Sequence, residues 1–173
     1  MRKLLIILTF FALIITFFPV NSFKVYTVEK EEESQLLYHT LVKPGERFSV
    51  KWIHSISKQP VTETYKIGKD LRIQIYEMIF NHHSPNLPSF PVEGTKWEIK
   101  NGTYRVYNYN RSYKELLVRI GIVIANHTLY IKNDIIPLKE LYKPGGLVKF
   151  RIDKIPFIKY LREEVIIWTN KKS

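Results

Sequence analysis

The sequence predicts an all-β protein: an antiparallel β-sandwich or partly open barrel, with an N-terminal signal or anchor helix and a short helix near the C-terminus. Three observations predict this fold class. Aromatic residues make up 14% of the 173 residues, and aromatic side chains favour pleated strands. Short apolar–polar alternations recur between turn residues about every 8–12 residues. Strands do not alternate with long helical patterns, as a parallel sheet would require.

The first half of the chain alternates apolar and polar residues between clear turn signals. The turn Lys43-Pro44-Gly45-Glu46 is typical of type II, because Pro presets φ and Gly accepts a positive φ. The segment 81–94 contains three prolines, so we expect a long irregular connection there. Period-two alternation predicts strands at residues 23–28, 35–42, 47–54, 61–67 and 71–79.

The second half contains a strong hairpin signal at Asn101-Gly102, flanked by apolar alternation. The run Glu115–Ala125 is predicted as one long strand, turned back at Asn126-His127 into a strand at 128–132. Further along the chain we predict a short helical turn at 135–142, a strand at 147–152, and a helix after Pro156 that ends in an extended segment. The apolar stripe of that helix is Ile158, Leu161, Val165 and Trp168.

The N-terminal residues have the pattern of an export signal. Arg2 and Lys3 precede an uncharged apolar run, Leu4–Phe18, and small residues before Phe23 fit a signal-peptidase site. We therefore divide the chain into a signal peptide or signal anchor at 1–22 and a single extracytoplasmic domain at 23–173. The run is short for a spanning helix, which needs roughly 20 residues. An uncleaved anchor would hold the domain at the extracytoplasmic membrane face, and cleavage would release it.

Composition excludes several classes of protein. The chain has no cysteine, which excludes disulfides, thiolate metal sites and a lipid-modified N-terminus. The net charge of +11 favours anionic neighbours, but export and the absence of phosphate-binding motifs argue against nucleic acid and nucleotide chemistry. The pair His82-His83 has no ligand spacing, so we predict no metal and no cofactor. Strand propensity accounts for the tyrosines between Tyr104 and Tyr113.

A candidate site lies in the hairpin WIHSISKQPVTETY, residues 52–65. His54 and Glu63 share the parity of the apolar faces of their strands. Antiparallel pairing is expected to put His54 near Val61 or Glu63, where the two polar groups either satisfy each other or line a pocket. The candidate ligand-binding residues are Trp52, His54, Ser55, Lys58, Glu63 and Tyr65.

The same stretch resembles the signature of the family called domain of unknown function 1850. His54, Ser55, Pro60, Glu63 and Tyr65 fall on that pattern, and the likeness extends from about Gly45 to Ile152. The region 83–88 departs from it, because the glycines usual there are missing. The resemblance implies a small exported bacterial protein, often encoded beside TAXI-type TRAP transporters for organic acids, with no established activity.

Three functional hypotheses follow. The first is a non-enzymatic accessory to a TRAP-type transporter, which binds a small organic anion, the permease or the solute-binding protein at the end of the domain that carries His54 and Glu63. The second is a basic envelope protein that binds anionic cell-wall polymer or lipid, with a steep salt dependence. The third is a hydrolase that uses His54 and Glu63 with Ser55 or Ser57.

Overall fold

The computed structural model describes residues 2–3, 15–29, 34–81, 85, 87–91 and 94–170. In chain order its elements are β1 (Pro19–Thr27), β2 (Leu36–Leu41), β3 (Arg47–Ile53), β4 (Pro60–Ile67), β5 (Ile73–Phe80), β6 (Lys96–Lys100), β7 (Thr103–Tyr107), β8 (Ser112–Tyr113), β9 (Glu115–Arg119), β10 (Thr128–Ile131), β11 (Asp134–Pro137), α1 (Leu138–Leu141), β12 (Leu147–Pro156) and α2 (Phe157–Asn170).

The strands form two antiparallel sheets, which confirms the predicted fold class. The smaller sheet has the order β2-β1-β12-β9, and the larger has the order β11-β10-β3-β4-β5-β7-β6, with β8 beside β5. The sheets do not close into a barrel in the described part of the chain, so the molecule is an open sandwich.

The main core lies between the sheets and is built on aromatic contacts. The ring centroid of Phe23 lies 4.8 Å from that of Phe48 and 5.4 Å from that of Phe150. A second, smaller cluster lies towards the β6–β7 side of the large sheet, around Val61, Phe80 and Val106. These two clusters explain why inward-facing positions on β4 are apolar except at residue 63.

The predicted turns and the 101–102 hairpin are confirmed. Gly45 has a φ of 92°, and Asn101 and Gly102 have φ values of 51° and 76° between β6 and β7. The predicted strand at Glu115–Ala125 is wrong beyond residue 119. A Cβ at Gly121 would lie 2.5 Å from the Cβ of Ala125, so the chain folds back tightly there and leaves the sheet.

A β-bulge changes which residues of β5 face the core. The register between β4 and β5 shifts between Thr64 and Tyr65. Beyond the shift Phe80 is buried, while Glu77 is paired with Arg105 at 2.6 Å between Oε2 and Nε. The alternation that predicted Ile79 on the core face therefore fails, because a bulge adds a residue that strict period-two counting cannot include.

At both ends of the chain, the observed strand and helix are longer than the elements predicted there. The first strand begins at Pro19, four residues before the predicted cleavage position, and α2 continues to Asn170 without the predicted extended segment. Most of the predicted signal or anchor helix, residues 4–14, lies outside the described residues, as does His82-His83. Within the described ranges, no helix combines the length and apolar character needed to cross a membrane.

Candidate functional site

The register of β3 and β4 separates the two polar residues of the predicted site. Trp52 lies opposite Val61, and Glu63 lies opposite Val50. The N–H of His54 donates to the carbonyl of Gln59 at 2.9 Å. The predicted position of His54 beside Val61 or Glu63 is therefore wrong. Glu63 is level with a residue four positions before His54, roughly 13 Å along the strand at 3.3 Å per residue.

His54 is a buried residue that joins two loops. Its Nδ1 lies 3.3 Å and 3.4 Å from the backbone nitrogens of Ile56 and Ser57, and its Nε2 lies 2.9 Å from the carbonyl oxygen of Pro85. Backbone N–H groups only donate and a carbonyl only accepts, so these contacts fit the tautomer that carries its proton on Nε2. Both ring nitrogens are occupied, which leaves neither to act as a general base towards Ser55 or Ser57.

Ser55 and Lys58 lie in the exposed turn that follows β3. Lys58 has a φ of 56°, in the left-handed region, and its ammonium group donates to the carbonyl oxygen of Ser55. The turn is thus closed by His54 on its inner side and by Lys58 on its outer side. These contacts hold the backbone of the turn and present Ile56 to solvent.

Glu63 faces inward between the two apolar clusters, as its parity predicts. The hydroxyl of Tyr65 donates to Oε2 of Glu63. Burial raises the pKa of the Glu63 carboxyl, and the hydrogen bond from Tyr65 opposes this rise by stabilising the carboxylate. The pKa of Tyr65 is raised by burial first and then by the negative charge of Glu63.

Tyr109 completes this buried group, although sequence reasoning assigned it only to strand propensity. Burial first, and then the charge of Glu63, raises the pKa of Tyr109 to about 12. Among the described residues, its buried hydroxyl has no hydrogen-bond partner. The alternating tyrosines of 104–113 were the available signal, but alternation alone could not show that Tyr109 lies close enough to Glu63 to feel its charge.

Trp52 lies where the two apolar clusters meet and packs against both. Its ring stacks on His127 at 5.7 Å between centroids, and Nδ1 of His127 accepts a hydrogen bond from the N–H of Gly121 at 3.1 Å. Burial lowers the pKa of His127. Trp52 therefore packs against the loop at 121–127, and all six predicted residues make contacts within the protein.

This end of the sandwich exposes an apolar surface on loops. Ile122 and Val123 are 76% and 85% exposed, and their loop is tied to the end of β3 by a 3.0 Å hydrogen bond from the N–H of Ile53 to the carbonyl of Ala125. Ile56 projects from the neighbouring turn and is also exposed. We call Ile56, Ile122 and Val123 the apolar rim. The turn and the 121–127 loop meet at the same strand end, so the rim marks the His54 end of the molecule.

A separate cleft of about 440 Å³ lies beside the buried tyrosines. Lys66 and Arg111 contribute positive charge to its lining, in which none of the described residues is acidic. The guanidinium of Arg47 lies 3.6 Å above the ring of Tyr76, another lining residue. None of the six predicted residues lines this cleft, but Tyr109 does, which places it next to the Glu63 group.

Comparison with known proteins gives one match. Residues 48–138, which include the whole hairpin, match the model of the family described as Domain of unknown function (DUF1850). No curated protein and no solved structure matches the chain.

Proposed function

The chain belongs to the DUF1850 family, and on that premise we propose that it is an exported, non-enzymatic accessory domain that binds a subunit of a TRAP-type transporter through its apolar rim. The observation that carries this proposal is that polar side chains are turned inward and apolar side chains outward at the His54 end. His54 and Ser55 of the signature make internal contacts there, while Ile122 and Val123 are exposed to solvent. Exposed apolar side chains at one site are typical of a protein–protein contact.

The polar residues have a definite role in this proposal. His54 ties the turn to Pro85, and Trp52 supports the loop at 121–127. Both loops are thereby held in one arrangement before a partner arrives, which lowers the entropic cost of binding. The signature residues would thus position the contact surface rather than touch the partner.

Attachment to the membrane through an uncleaved N-terminal segment is part of the proposal. Residues 19–22 pair with 153–156 of β12, and Ser22 is fully buried. Cleavage before Phe23 would remove these residues from the centre of the small sheet. An anchor that stays attached leaves β1 whole and keeps the domain on the extracytoplasmic face, beside a transporter.

The test is co-purification of the full-length chain with the TRAP permease or solute-binding protein of the same cell. Ile122→Asp is expected to abolish co-purification, because it puts a charge into the contact. Ile135→Asp is the matched control, since Ile135 is equally apolar and exposed but lies on β11. Loss of binding in neither variant, or unimpaired uptake of every organic acid in a deletion strain, would overturn the proposal.

The cationic cleft supports a second candidate, the binding of a small organic anion. Lys66 and Arg111 would pair with carboxylates, and the tyrosines would supply hydrogen bonds. Isothermal titration with succinate and other short dicarboxylates tests this idea. Binding that disappears in Arg111→Gln but survives Ile122→Asp would assign the ligand to the cleft, and an absence of binding heat for every acid would remove the candidate.

A further inference from the structure

The helix α2 is attached to the sandwich by its polar face. Its Glu163 lies 2.6 Å from the ammonium group of Lys24, whose side chain is only 1% exposed. His39 of β2 stacks on Tyr160 of the helix at 4.3 Å between ring centroids, and Nε2 of His39 lies 3.2 Å from Glu164. Because a buried ammonium group needs an anionic partner, Lys24 holds this face of α2 against the sheet.

The apolar stripe predicted from the sequence consequently points away from the protein. The helix of a globular domain ordinarily packs its apolar stripe on the core. In α2 the arrangement is reversed, and Val165 at the middle of the stripe is 62% exposed. The members of this outward stripe, all exposed, are Ile158, Leu161, Val165 and Trp168.

A second apolar surface adjoins the beginning of this helix. The N–H of Phe157 donates to the carbonyl of Phe18 at 2.9 Å, so the chain enters β1 directly beside α2. Phe17 and Phe18 are exposed, and they end the apolar run Leu4–Phe18 of the sequence. The exposed Phe17 and Phe18 therefore lie beside the beginning of α2, at the end of the sandwich that we call the α2 end.

The charged residues around the stripe distinguish between two possible partners, a second copy of the chain and a lipid surface. Lys159 and Arg162 are exposed beside the stripe, whereas the acidic residues of the helix, Glu163 and Glu164, contact Lys24 and His39. In an isologous contact between two copies, these two cations would be brought close to the same cations of the other copy, with only the half-exposed Glu164 of the helix to offset them. Cations that flank an apolar helical stripe suit anionic phospholipid headgroups.

We propose that α2 lies in the interface of an anionic lipid bilayer, with its stripe at the acyl boundary and Lys159 and Arg162 among the headgroups. The helix is then a second membrane contact beside the N-terminal segment, and it fixes the orientation of the domain. The strand β3 begins at the α2 end and has seven residues, so the apolar rim lies roughly 20 Å along this strand from the α2 end at 3.3 Å per residue.

The test uses single cysteines, which the chain permits because it has none of its own. Val165→Cys and, as the matched control, Ile122→Cys are labelled with an environment-sensitive fluorophore in the full-length chain. The labelled proteins are reconstituted into vesicles of phosphatidylcholine with phosphatidylglycerol. We expect a blue shift at position 165 and quenching by lipid-attached doxyl groups, and neither effect at position 122.

Three outcomes would contradict the proposal. A probe at 165 that a water-soluble quencher reaches as readily as the probe at 122 would show that the stripe faces water. A probe at 165 shielded from both quenchers would show that protein covers the stripe, either a second copy or another part of this chain. Equal quenching by lipid in pure phosphatidylcholine would remove the requirement for anionic headgroups.

Discussion

At the His54 end of the sandwich, His54 and Lys58 make internal contacts while isoleucine and valine face solvent. At the α2 end, Lys24, Glu163 and His39 do the same beneath an outward apolar stripe. The scaffolds differ, since the first surface is formed by two loops and the second by a regular helix. Loops can match the shape of one partner, whereas a helical stripe suits a planar interface. We infer that the polar residues of this protein mainly position its apolar contacts.

The largest expected effect is at the start of β1, on the α2 side of the comparison. A chain that begins at Phe23 loses four residues of a central strand, worth about 4 kcal/mol of unfolding free energy at roughly 1 kcal/mol per hydrogen bond. A chain that begins at Pro19 keeps every pairing between β1 and β12. Urea unfolding of the two truncations measures the difference. Equal stability would mean that residues 19–22 contribute nothing to the fold and would permit cleavage before Phe23.

The next effect is at the ion pair under α2. Glu163→Gln leaves Lys24 buried with only Asp153, at 3.6 Å, as an anionic partner, so we expect a loss of about 3 kcal/mol of stability. Glu164→Gln is the control, because Glu164 is half exposed and its loss is expected to cost under about 1 kcal/mol. Denaturant titration followed by circular dichroism gives both values. If Glu163→Gln is as mild as its control, the ion pair does not hold the helix.

His54 tests the corresponding claim at the opposite end. His54→Ala removes the partner of the Pro85 carbonyl and of two backbone N–H groups, so we expect a loss of about 2 kcal/mol. Hydrogen exchange at Ile56 and Ser57 is expected to accelerate at the same time. A variant of full stability that no longer bound an organic anion would instead make His54 a ligand-binding residue. Lys58→Ala is the control, because it alters the same turn but leaves the contacts of His54 in place.

The smallest effect is expected at Glu63, and it depends on pH. Because burial raises its pKa in the folded state, the protonated carboxyl favours folding, and this contribution is lost as pH rises from the ordinary value of 4.5 through the raised one. Glu63→Gln is therefore expected to unfold at a higher temperature than the native chain above this window and to match it below. Melting curves between acidic and neutral pH check this. Glu140→Gln, at an exposed position, is the control and is expected to leave the melting temperature unchanged both above and below this window.

Strand parity predicted much of the fold and part of the site. It placed Glu63 on the inner face and separated most strands correctly, because period-two patterns follow directly from which side of a sheet is buried. It failed at the bulge in β5 and at Gly121, where one extra residue or a close backbone approach breaks the period. The stripe of α2 was recognisable from its spacing, but its outward orientation depends on Lys24, which lies over a hundred residues away in the chain.

Photo-crosslinking in living cells tests the comparison between the two ends most directly. A benzophenone amino acid is placed at Ile122 in one full-length chain and at Val165 in another, and both are irradiated in cells that express the TRAP transporter. We expect a protein adduct with a transporter subunit from position 122 and only lipid adducts from position 165. Protein adducts from position 165, or none from position 122, would contradict it.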